Sequence, residues 1–450
     1  MRSSDPGKRP ASRQAPEDGG PATNSDTQLL TSKMYRARVR GASPVGGGIL
    51  SRIRPRLYGA PTGLTRNRPS HRPAHRPTHR PGEPPPDPVH FSDPHLLRQA
   101  MYPVSRWSLR IAATVLLLAT PAAAQQPLTR WYKGNTHAHT LNSDGDVLPE
   151  EVVRWYRTHG YNFTFITDHE FITDVAPLNA LFGAAGRFQA FSAQEVTQRI
   201  ADPAHPDGLR QAHVNALGVT RVIRPLGVRN IGPGPMAAAY TRNVGEIKSA
   251  GGVAQVNHPN FRWSVRLEDL LDLPDSTLFE VWNGHPGVYN LGGTDSSGRV
   301  APSAEALWDS LLTRGKVLFG VGDDDSHYFK PQDAENQDLA RPGRAWVMVR
   351  ADTLTQGAIV SALRRGDFYA STGVTLSDYQ ASAREMRVDI VPAGDIRYRT
   401  EFIGSGGRVL ATSNSLHPRY TVTGSEGYVR VRVSDSAGHT AWMQPVMVKH

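Results

Sequence analysis

Gly134-Asn135-Thr136-His137-Ala138-His139-Thr140 is the stretch of this 450-residue chain from which the fold can be argued first. Two histidines at positions i and i+2 project from the same side of the backbone only when that backbone is extended. At the end of a β-strand, two such imidazoles can bind the same metal ion. The stretch therefore predicts a strand whose end carries one side of a metal site.

Further residues of metal-binding type follow down the chain, most of them at the end of a predicted strand. They are Asp144, His169, Glu195, His213, His258, Asp325 and His327. Imidazoles mixed with carboxylates suit zinc, manganese or iron, whereas calcium and magnesium prefer oxygen-only shells. Glu195 is the one acid in its predicted strand, and we expect it to bridge two cations. Together with His137 and His139, these residues predict a site for more than one ion.

Each of these residues also has an ordinary structural interpretation when it is taken alone. A strand histidine such as His213 can be a hydrogen-bonded core residue, and Asp144 in a Ser-Asp-Gly sequence can make a turn. His258 can cap a strand, and Asp325 can belong to a solvated acidic loop at 323–325. The order of all nine residues and their placement near strand ends favour the metal site.

From Trp131 onward, segments typical of strands alternate with amphipathic segments typical of helices. The predicted strands are 131–139, 161–168, 188–197, 212–219, 253–258, 278–284 and 317–323, and the predicted helices are 148–159, 236–249, 303–314 and 353–365. Such alternation predicts an α/β protein with a parallel sheet. Ligands at the carboxyl ends of about seven strands are typical of a distorted β/α barrel, which we expect over 128–375. His213 is an irregularity, because it lies early in its strand.

After about residue 378 the helical period disappears. Segments 386–391 and 428–433 alternate with a period of two, and glycine-rich turns lie at 404–407 and 425–427. These patterns predict a small antiparallel β-sandwich over 378–450. No residue set in it indicates chemistry.

Residues 1–100 have the composition of a disordered basic leader, with 17 Lys and Arg against 7 Asp and Glu and many prolines. Such a segment cannot bury enough apolar surface to offset the entropy lost on ordering. Residues 125–450 carry a net charge of −2, so the basic character of the whole chain does not indicate a stable nucleic-acid partner. The chain has no cysteine, which excludes disulfides, thiolate ligands and a cysteine nucleophile.

Residues 101–124 resemble a secretory signal peptide. Met101 precedes two arginines, a short apolar run at 111–119 and the small residues Ala122-Ala123-Ala124. The apolar run is too short to span a bilayer, so we expect no transmembrane segment in the mature chain. If translation starts at Met101, the protein is predicted to be exported, either periplasmic or secreted. The alternatives are a genuine basic arm over 1–100 and a buried or interfacial helix over 101–124.

The ordered ligand set resembles the PHP family, the polymerase-and-histidinol-phosphatase metallohydrolases. The resemblance covers about 131–330 and rests on HxHTxxSDG at 137–145, TDHE at 167–170, Glu195, His213, NHP at 257–259 and DSH at 325–327. It implies a distorted (β/α)7 barrel that binds up to three divalent ions, zinc, manganese or iron. By this resemblance His137, His139, Glu195 and Asp325 hold the first ion, Glu195, His213 and His258 the second, and Asp144, His169 and His327 the third.

Residues 131–450 also resemble the carbaryl-hydrolase-type subgroup of that family, whose members are often exported and carry a C-terminal β domain. This likeness rests on the less specific segments 364–369, 428–431 and 441–445. The amidohydrolase superfamily also begins with an HxH motif. It usually adds a carboxylated lysine and ends in a lone aspartate, whereas this chain has Glu195 and the DSH at 325–327.

The predicted function is metal-dependent hydrolysis by a metal-bound hydroxide. Glu195, Asp325 and His327 are expected to take part in catalysis, and Asn283 and His285 are candidates for substrate contact. Asp168 is expected either to orient a ligand imidazole or to make a turn.

Three functions stay open at this stage. The first is a phosphoesterase acting on small phosphomonoesters or on nucleotide and oligonucleotide ends, including 5′–3′ exonuclease-like activity. The second is a carboxylester or carbamate hydrolase. The third is a non-catalytic metal- or anion-binding protein, which predicts little loss of function on His137→Ala. A mature N-terminus at Gln125 would exclude a binding role for the basic leader.

Overall fold

The structure is a computed structural model and describes residues 129–448. The predicted leader 1–100 and the predicted signal segment 101–124 lie outside the described residues. Between 129 and 448, none of the helices combines the length and the apolar character needed to cross a membrane.

The first part of the described chain alternates strands with four helices. Its elements are β1 (Arg130–Asn135), α1 (Pro149–Thr158), β2 (Phe163–Ile166), α2 (Val175–Phe182), β3 (Gln189–Ala201), β4 (Leu209–Leu217), β5 (Ile231–Gly232), α3 (Met236–Ser249), β6 (Val253–Val256), β7 (Leu278–Asn283), β8 (Gly293–Thr294), β9 (Val300–Ala301), α4 (Ala304–Thr313) and β10 (Phe319–Asp323). The predicted helix 148–159 is α1, which buries Val152, Val153 and Tyr156 on one face and has a proline in its first turn. The mixed α/β class predicted from the alternation is confirmed.

The second part contains one helix and many strands. Its elements are β11 (Trp346–Ala351), α5 (Gln356–Arg365), β12 (Phe368–Ser371), β13 (Leu376–Ala381), β14 (Glu385–Ile390), β15 (Tyr398–Gly404), β16 (Arg408–Ser413), β17 (Arg419–Thr421), β18 (Tyr428–Asp435), β19 (Thr440–Met443) and β20 (Val446–Met447). Helix α5 starts later than the predicted 353 because the side chain of Thr355 accepts a hydrogen bond from the backbone N–H of Ala358 and caps the helix. Gly366, in a left-handed conformation, ends it.

The elements of the first part differ from the predicted ones in several places. Strand β1 ends at Asn135, before the predicted end at 139, so His137 and His139 follow the strand and are not part of it. Helix α2, between β2 and β3, is absent from the predicted set. Its start is capped by Asp174, whose side chain accepts from the backbone N–H of Ala176. Strand β3 extends to Ala201, beyond the predicted end at 197.

Seven strands of the large sheet lie in the order β10-β7-β6-β4-β3-β2-β1. β1, β2 and β3 are parallel to one another, and so are β6, β7 and β10. Beyond the ends of β1 and β10, Ala138 and Ser326 form a parallel β-bridge, and the backbone N–H of His139 donates to the carbonyl of Ser326 at 2.9 Å. The arc of seven strands therefore returns to its first strand at the rim where the predicted ligands lie.

The prediction of an entirely parallel sheet is wrong at β4, which is antiparallel to both β3 and β6. The reason is that β3 and β4 form a hairpin joined by a short loop at 202–208. Because β4 runs in the opposite direction, His213 at its centre lies near the same rim as the ends of the other strands, opposite Thr197 of β3. The expected position of Glu195 at the end of its strand is also wrong, since six residues of β3 follow it.

The remaining strands continue from the other edge of β1. The order there is β1-β11-β12-β19-β18-β15-β16, with every neighbouring pair antiparallel, and β13-β14-β17 form a separate sheet. Both sheets bury apolar side chains in one cluster, including Tyr379 and Val388 from one sheet and Val431 and Met443 from the other. The burial of this shared cluster holds the two sheets together.

A buried ion pair connects the C-terminal strands to helix α4. The Arg430 guanidinium donates to both carboxylate oxygens of Asp309 at 2.7 Å, and its side chain is 1% exposed. The Tyr428 hydroxyl donates to the same carboxylate at 2.7 Å. A bidentate geometry with a third donor is the arrangement in which a buried charge pair is best satisfied.

Candidate metal centre

The structure brings all nine predicted ligand residues together at one rim of the seven-strand arc. Their imidazole nitrogens and carboxylate oxygens form overlapping groups, in each of which the ligand atoms lie within 4.8 Å of one another. The groups are His137, His139 and Asp325; His137, Glu195 and His258; His139, Asp144 and His327; and His139, His169 and Glu195. His213 joins them through Glu195, at 2.8 Å. We call these nine residues the candidate metal centre.

Glu195 lies in the middle of the candidate metal centre. Its Oε2 is 3.2 Å from the Nε2 atoms of both His137 and His139, and its Oε1 is 2.8 Å from Nδ1 of His213 and 3.5 Å from Nε2 of His258. Nδ1 of His169 is also 3.4 Å from Oε2. The two carboxylate oxygens therefore face different imidazoles, three at Oε2 and two at Oε1. This is the geometry in which one carboxylate can be shared by two cations.

Asp325, which lies just beyond the end of β10, faces the same two histidines. Its Oδ1 is 3.2 Å from Nε2 of His137 and 3.4 Å from Nε2 of His139. Its backbone has a φ of +46°, an uncommon conformation for a residue with a side chain. Asn283 donates to its Oδ2 at 3.2 Å, so the carboxylate is held from β7 as well.

The acidic run at 323–325 is not a solvated loop. Asp323 and Asp324 are fully buried, and the Asp324 carboxylate accepts the backbone N–H groups of Arg344 and Ala345 at 2.7 and 3.0 Å. The hydroxyl of Tyr156 in α1 donates to the same carboxylate at 2.9 Å. The loop that carries Asp325 is therefore pinned to the protein interior.

Asp144, His169 and His327 form the outer end of the candidate metal centre. The carboxylate of Asp144 lies 3.5 Å from the Nε2 atoms of both histidines, and its side chain is 53% exposed. The following Gly145 is required by packing, since a Cβ there would lie 2.6 Å from the backbone carbonyl of His139. This end is the side from which a substrate can approach.

In three of the histidines, one ring nitrogen is bonded to an oxygen that can only accept a hydrogen bond. That nitrogen must carry the proton, so the other nitrogen faces the candidate metal centre with its lone pair. His137 donates from Nδ1 to Oε1 of Glu280 at 2.7 Å, and His327 donates from Nδ1 to a backbone carbonyl at 2.9 Å. Both rings therefore turn Nε2 with its lone pair inward. His213 is reversed, because its Nε2 donates to Oε1 of Gln211 at 3.1 Å and its Nδ1 faces Glu195.

The charges of the site show why it suits divalent cations. Burial acts to lower the pKa of His139, but the adjacent carboxylates of Asp325 and Glu195 outweigh it and raise that pKa to about 10. Burial acts to raise the pKa of Glu195, but the charges of the surrounding imidazoles hold it well below its usual range. Within 129–448, the ion pairs of these carboxylates are with imidazoles and none is with Arg or Lys. Bound cations could take the place of the imidazole protons in neutralising these carboxylate charges.

One buried nitrogen also has the properties expected of a metal ligand. Nε2 of His139 is buried and makes no hydrogen bond of normal geometry, although it lies 3.2 Å from Glu195. Buried polar atoms without a hydrogen bond are rare in proteins. A cation shared with Glu195 and Asp325 would satisfy this nitrogen.

The sequence prediction missed Glu280, a fully buried acid in β7. Its Oε1 accepts from Nδ1 of His137 at 2.7 Å and from Gln255 at 3.0 Å, and its Oε2 accepts the backbone N–H of His258 at 2.5 Å and the Asn283 amide at 2.8 Å. Glu280 thus orients one predicted ligand directly and supports two others. The signal that could have identified it is a single acid within the apolar strand Leu278–Asn283.

Asp168 makes a turn and forms no direct hydrogen bond with an imidazole. Its carboxylate accepts the backbone N–H and hydroxyl of Thr140, at 2.8 and 2.9 Å, and the hydroxyls of Ser143 and Thr173, at 2.8 and 2.6 Å. These four bonds fill its acceptor capacity and fix the loop that carries Asp144. Of its two predicted roles, the structure supports the turn.

No known protein family and no curated protein matches the chain. Among solved structures, it aligns with a two-domain protein containing a predicted PHP-like metal-dependent phosphoesterase from Bacteroides vulgatus, at 16% identity and a TM-score of 0.37, over 68% of this chain and 90% of that one. It aligns with a candidate metal-dependent phosphoesterase from Bifidobacterium adolescentis at 16% identity and a TM-score of 0.28, over 44% and 89%. It also aligns with an amidohydrolase from Chromobacterium violaceum at 13% identity and a TM-score of 0.28, over 52% and 96%. Similarities this low assign no function, so the proposal below rests on the side-chain geometry.

Proposed function

We propose that this chain is a metal-dependent hydrolase of the PHP type and that it acts on phosphoesters. The observation that carries the proposal is the position of Glu195, whose two oxygens face different imidazoles, three at Oε2 and two at Oε1. Within 129–448, no carboxylate of the candidate metal centre is paired with Arg or Lys. A site of this composition is built to hold several cations, and several cations suit a reaction that builds negative charge on phosphoryl oxygens.

The residues present fit three ions. The proposed sets are His137, His139, Glu195 and Asp325 for the first ion, Glu195, His213 and His258 for the second, and Asp144, His169 and His327 for the third. When bound, divalent cations supply water of lowered pKa and neutralise charge on the reacting group.

The protein itself supplies orientation. Glu280 and Gln211 fix the tautomers of two ligand imidazoles, while Asn283 and the backbone around 323–326 hold Asp325. We further propose that Glu195, Asp325 and His327 contact the reacting groups. His327 is the most accessible of the three and lies at the open end.

We also propose the finer description of the fold. The seven strands closed by the bridge beyond β1 and β10 would be a distorted (β/α)7 barrel, and the two C-terminal sheets with their shared core would be a β-sandwich. The domain boundaries at 128–375 and 378–450, the signal peptide at 101–124 and export of the mature protein stay predictions.

A second candidate function is hydrolysis of a carboxylester or carbamate with an apolar group. It is favoured by Phe261, whose ring centroid lies 5.1 Å from that of His258 and 5.7 Å from that of His213. Leu141 and Phe171, on the loops that carry other predicted ligands, are 55% and 46% exposed. Apolar side chains beside a polar site can bind an aryl or alkyl leaving group.

The test is a comparison of substrates on the full chain, loaded with zinc or manganese. p-Nitrophenyl phosphate, bis(p-nitrophenyl) phosphate, a 5′-phosphorylated oligonucleotide and 1-naphthyl N-methylcarbamate are assayed side by side, with His137→Ala as the inactive control. Turnover of a phosphorus substrate is expected. Turnover of the carbamate alone would replace the first candidate by the second. A metal-loaded protein without activity on any of the four would contradict both.

A further inference from the structure

The loop that follows β7 holds one histidine beside the candidate metal centre without making it a ligand. The backbone N–H of His285 donates to the side chain of Asn283 at 2.8 Å. Asn283 exchanges two further hydrogen bonds with Asn290, at 3.1 and 2.7 Å, and Arg344 donates to the carbonyl of Gly284 at 2.9 Å. The backbone around His285 is therefore fixed from several sides.

The ring of His285 is fixed as well. The backbone N–H of Gly287 donates to its Nδ1 at 2.9 Å. Because two N–H groups facing each other would repel, Nδ1 must be an acceptor, and the neutral ring carries its proton on Nε2. Among the residues the structure describes, none forms a hydrogen bond with Nε2. This nitrogen is also not one of the fully buried atoms without a hydrogen bond. The ring thus carries an N–H on Nε2 that no described residue accepts.

The place of this donor connects it with the chemistry. The ring centroid of His285 lies 5.7 Å from that of His327, with the two planes at 86°. The charged residues that act on it most strongly are Asp325, His327 and His258, all from the candidate metal centre. His285 itself belongs to none of the groups of atoms that could hold an ion. It is the donor next to the open end, where a substrate would lie.

We propose that His285 donates its Nε2–H to an oxygen of the substrate's reacting phosphoryl or carbonyl group. The proposal rests on the proposed function and adds a specific substrate contact to it. A donor that is already oriented and needs no rearrangement stabilises the charge that develops on such an oxygen in the transition state. Loss of one donor of this kind typically lowers kcat by about 10²–10³-fold.

The experiment compares the wild type with His285→Gln and His285→Met in the full, manganese-loaded chain. Glutamine keeps an N–H donor at the distance of the imidazole Nε2, whereas methionine has a similar length and no donor. Initial rates are measured on bis(p-nitrophenyl) phosphate and on 1-naphthyl N-methylcarbamate. His285→Met is expected to lower kcat by about 100-fold with KM changed by less than about threefold, and His285→Gln to recover at least about tenfold of that loss.

Metal content and thermal midpoint are measured on the same samples and are expected to equal those of the wild type. The proposal is overturned if His285→Met keeps kcat within about twofold of the wild type. It is also overturned if both variants lose metal or activity equally, because the histidine would then act only through the loop. A wild type that binds metal and hydrolyses neither substrate would instead contradict the proposed function, from which this inference follows.

Discussion

The substitution Glu195→Gln tests whether one carboxylate is shared by two cations. Glutamine keeps the size of the side chain and removes its charge from a place where five imidazole nitrogens lie within 3.5 Å. A unit charge about 4 Å from a divalent cation interacts by roughly 8 kcal/mol at an effective dielectric constant of about 20. Even a quarter of that, about 2 kcal/mol, lowers the affinity for each neighbouring ion about 30-fold.

The assay is the thermal midpoint and the metal content at a fixed free zinc concentration. At about 100 times its dissociation constant, one ion stabilises the wild type by about 2.7 kcal/mol. With an unfolding entropy of about 2.1 cal/mol/K per residue over residues 129–448, this raises the midpoint by roughly 4 °C per ion. A 30-fold loss of affinity at the same zinc concentration leaves a rise of only about 1 °C per affected ion.

Asp144→Asn is the matched control. The carboxylate of Asp144 is half exposed and faces the outer histidines, so we expect that variant to weaken the binding of one ion and leave the others unchanged. Glu195→Gln should weaken the binding of two. If it bound as much zinc as the wild type and showed the same thermal shift, Glu195 could not be the shared ligand, and the three-ion arrangement would be wrong.

Three further predictions follow from the same contacts. Because the pKa of His139 is raised to about 10, its imidazole is protonated at pH 8 and must lose that proton to bind a metal, so the apparent affinity should rise with pH up to about 10. Calorimetric titration in two buffers of different ionisation enthalpy checks this, and equal heats in both would contradict it. Glu280→Gln should weaken metal binding by about 10–100-fold without removing a ligand, measured by competition with a chelator; unchanged affinity would show that its bond to the imidazole is unimportant. Arg430→Met should lower the free energy of unfolding by about 3–5 kcal/mol in urea, because it leaves the Asp309 carboxylate buried without its partner. The exposed control Arg399→Met should cost less than about 1 kcal/mol.

The residues of the candidate metal centre could be predicted from the sequence because their signal is local. An HxH pair needs only an extended backbone to point both imidazoles one way, and strand–helix alternation places the ends of successive parallel strands at one rim. The face of α1 that buries Val152, Val153 and Tyr156 was predictable for the same reason. Periodicity and residue type carry this information within about ten residues of chain.

The features that the sequence did not reveal depend on how the strands pair and on which hydrogen bonds individual side chains make. The direction of β4 follows from the hairpin with β3, and only that reversal explains why His213 reaches the rim and turns Nδ1 toward Glu195. Likewise Glu280 looks like an isolated strand acid until β1 brings His137 within 2.7 Å of it. His285 was a candidate for substrate contact in the sequence, but the position of its ring proton follows only from the hydrogen bond with Gly287.

The chain's own order of residues was therefore enough to name the side chains of the candidate metal centre and the α/β class, since both depend on side-chain chemistry and short-range backbone periodicity. Tertiary structure alone decided which nitrogen of each ring faces inward, which carboxylate lies among five histidines, and which acids are buried. Those properties depend on interatomic distances of about 3 Å between distant segments, as between Thr136 and Asp323, which are 187 residues apart in the chain. Such distances are determined by how the strands pair and pack.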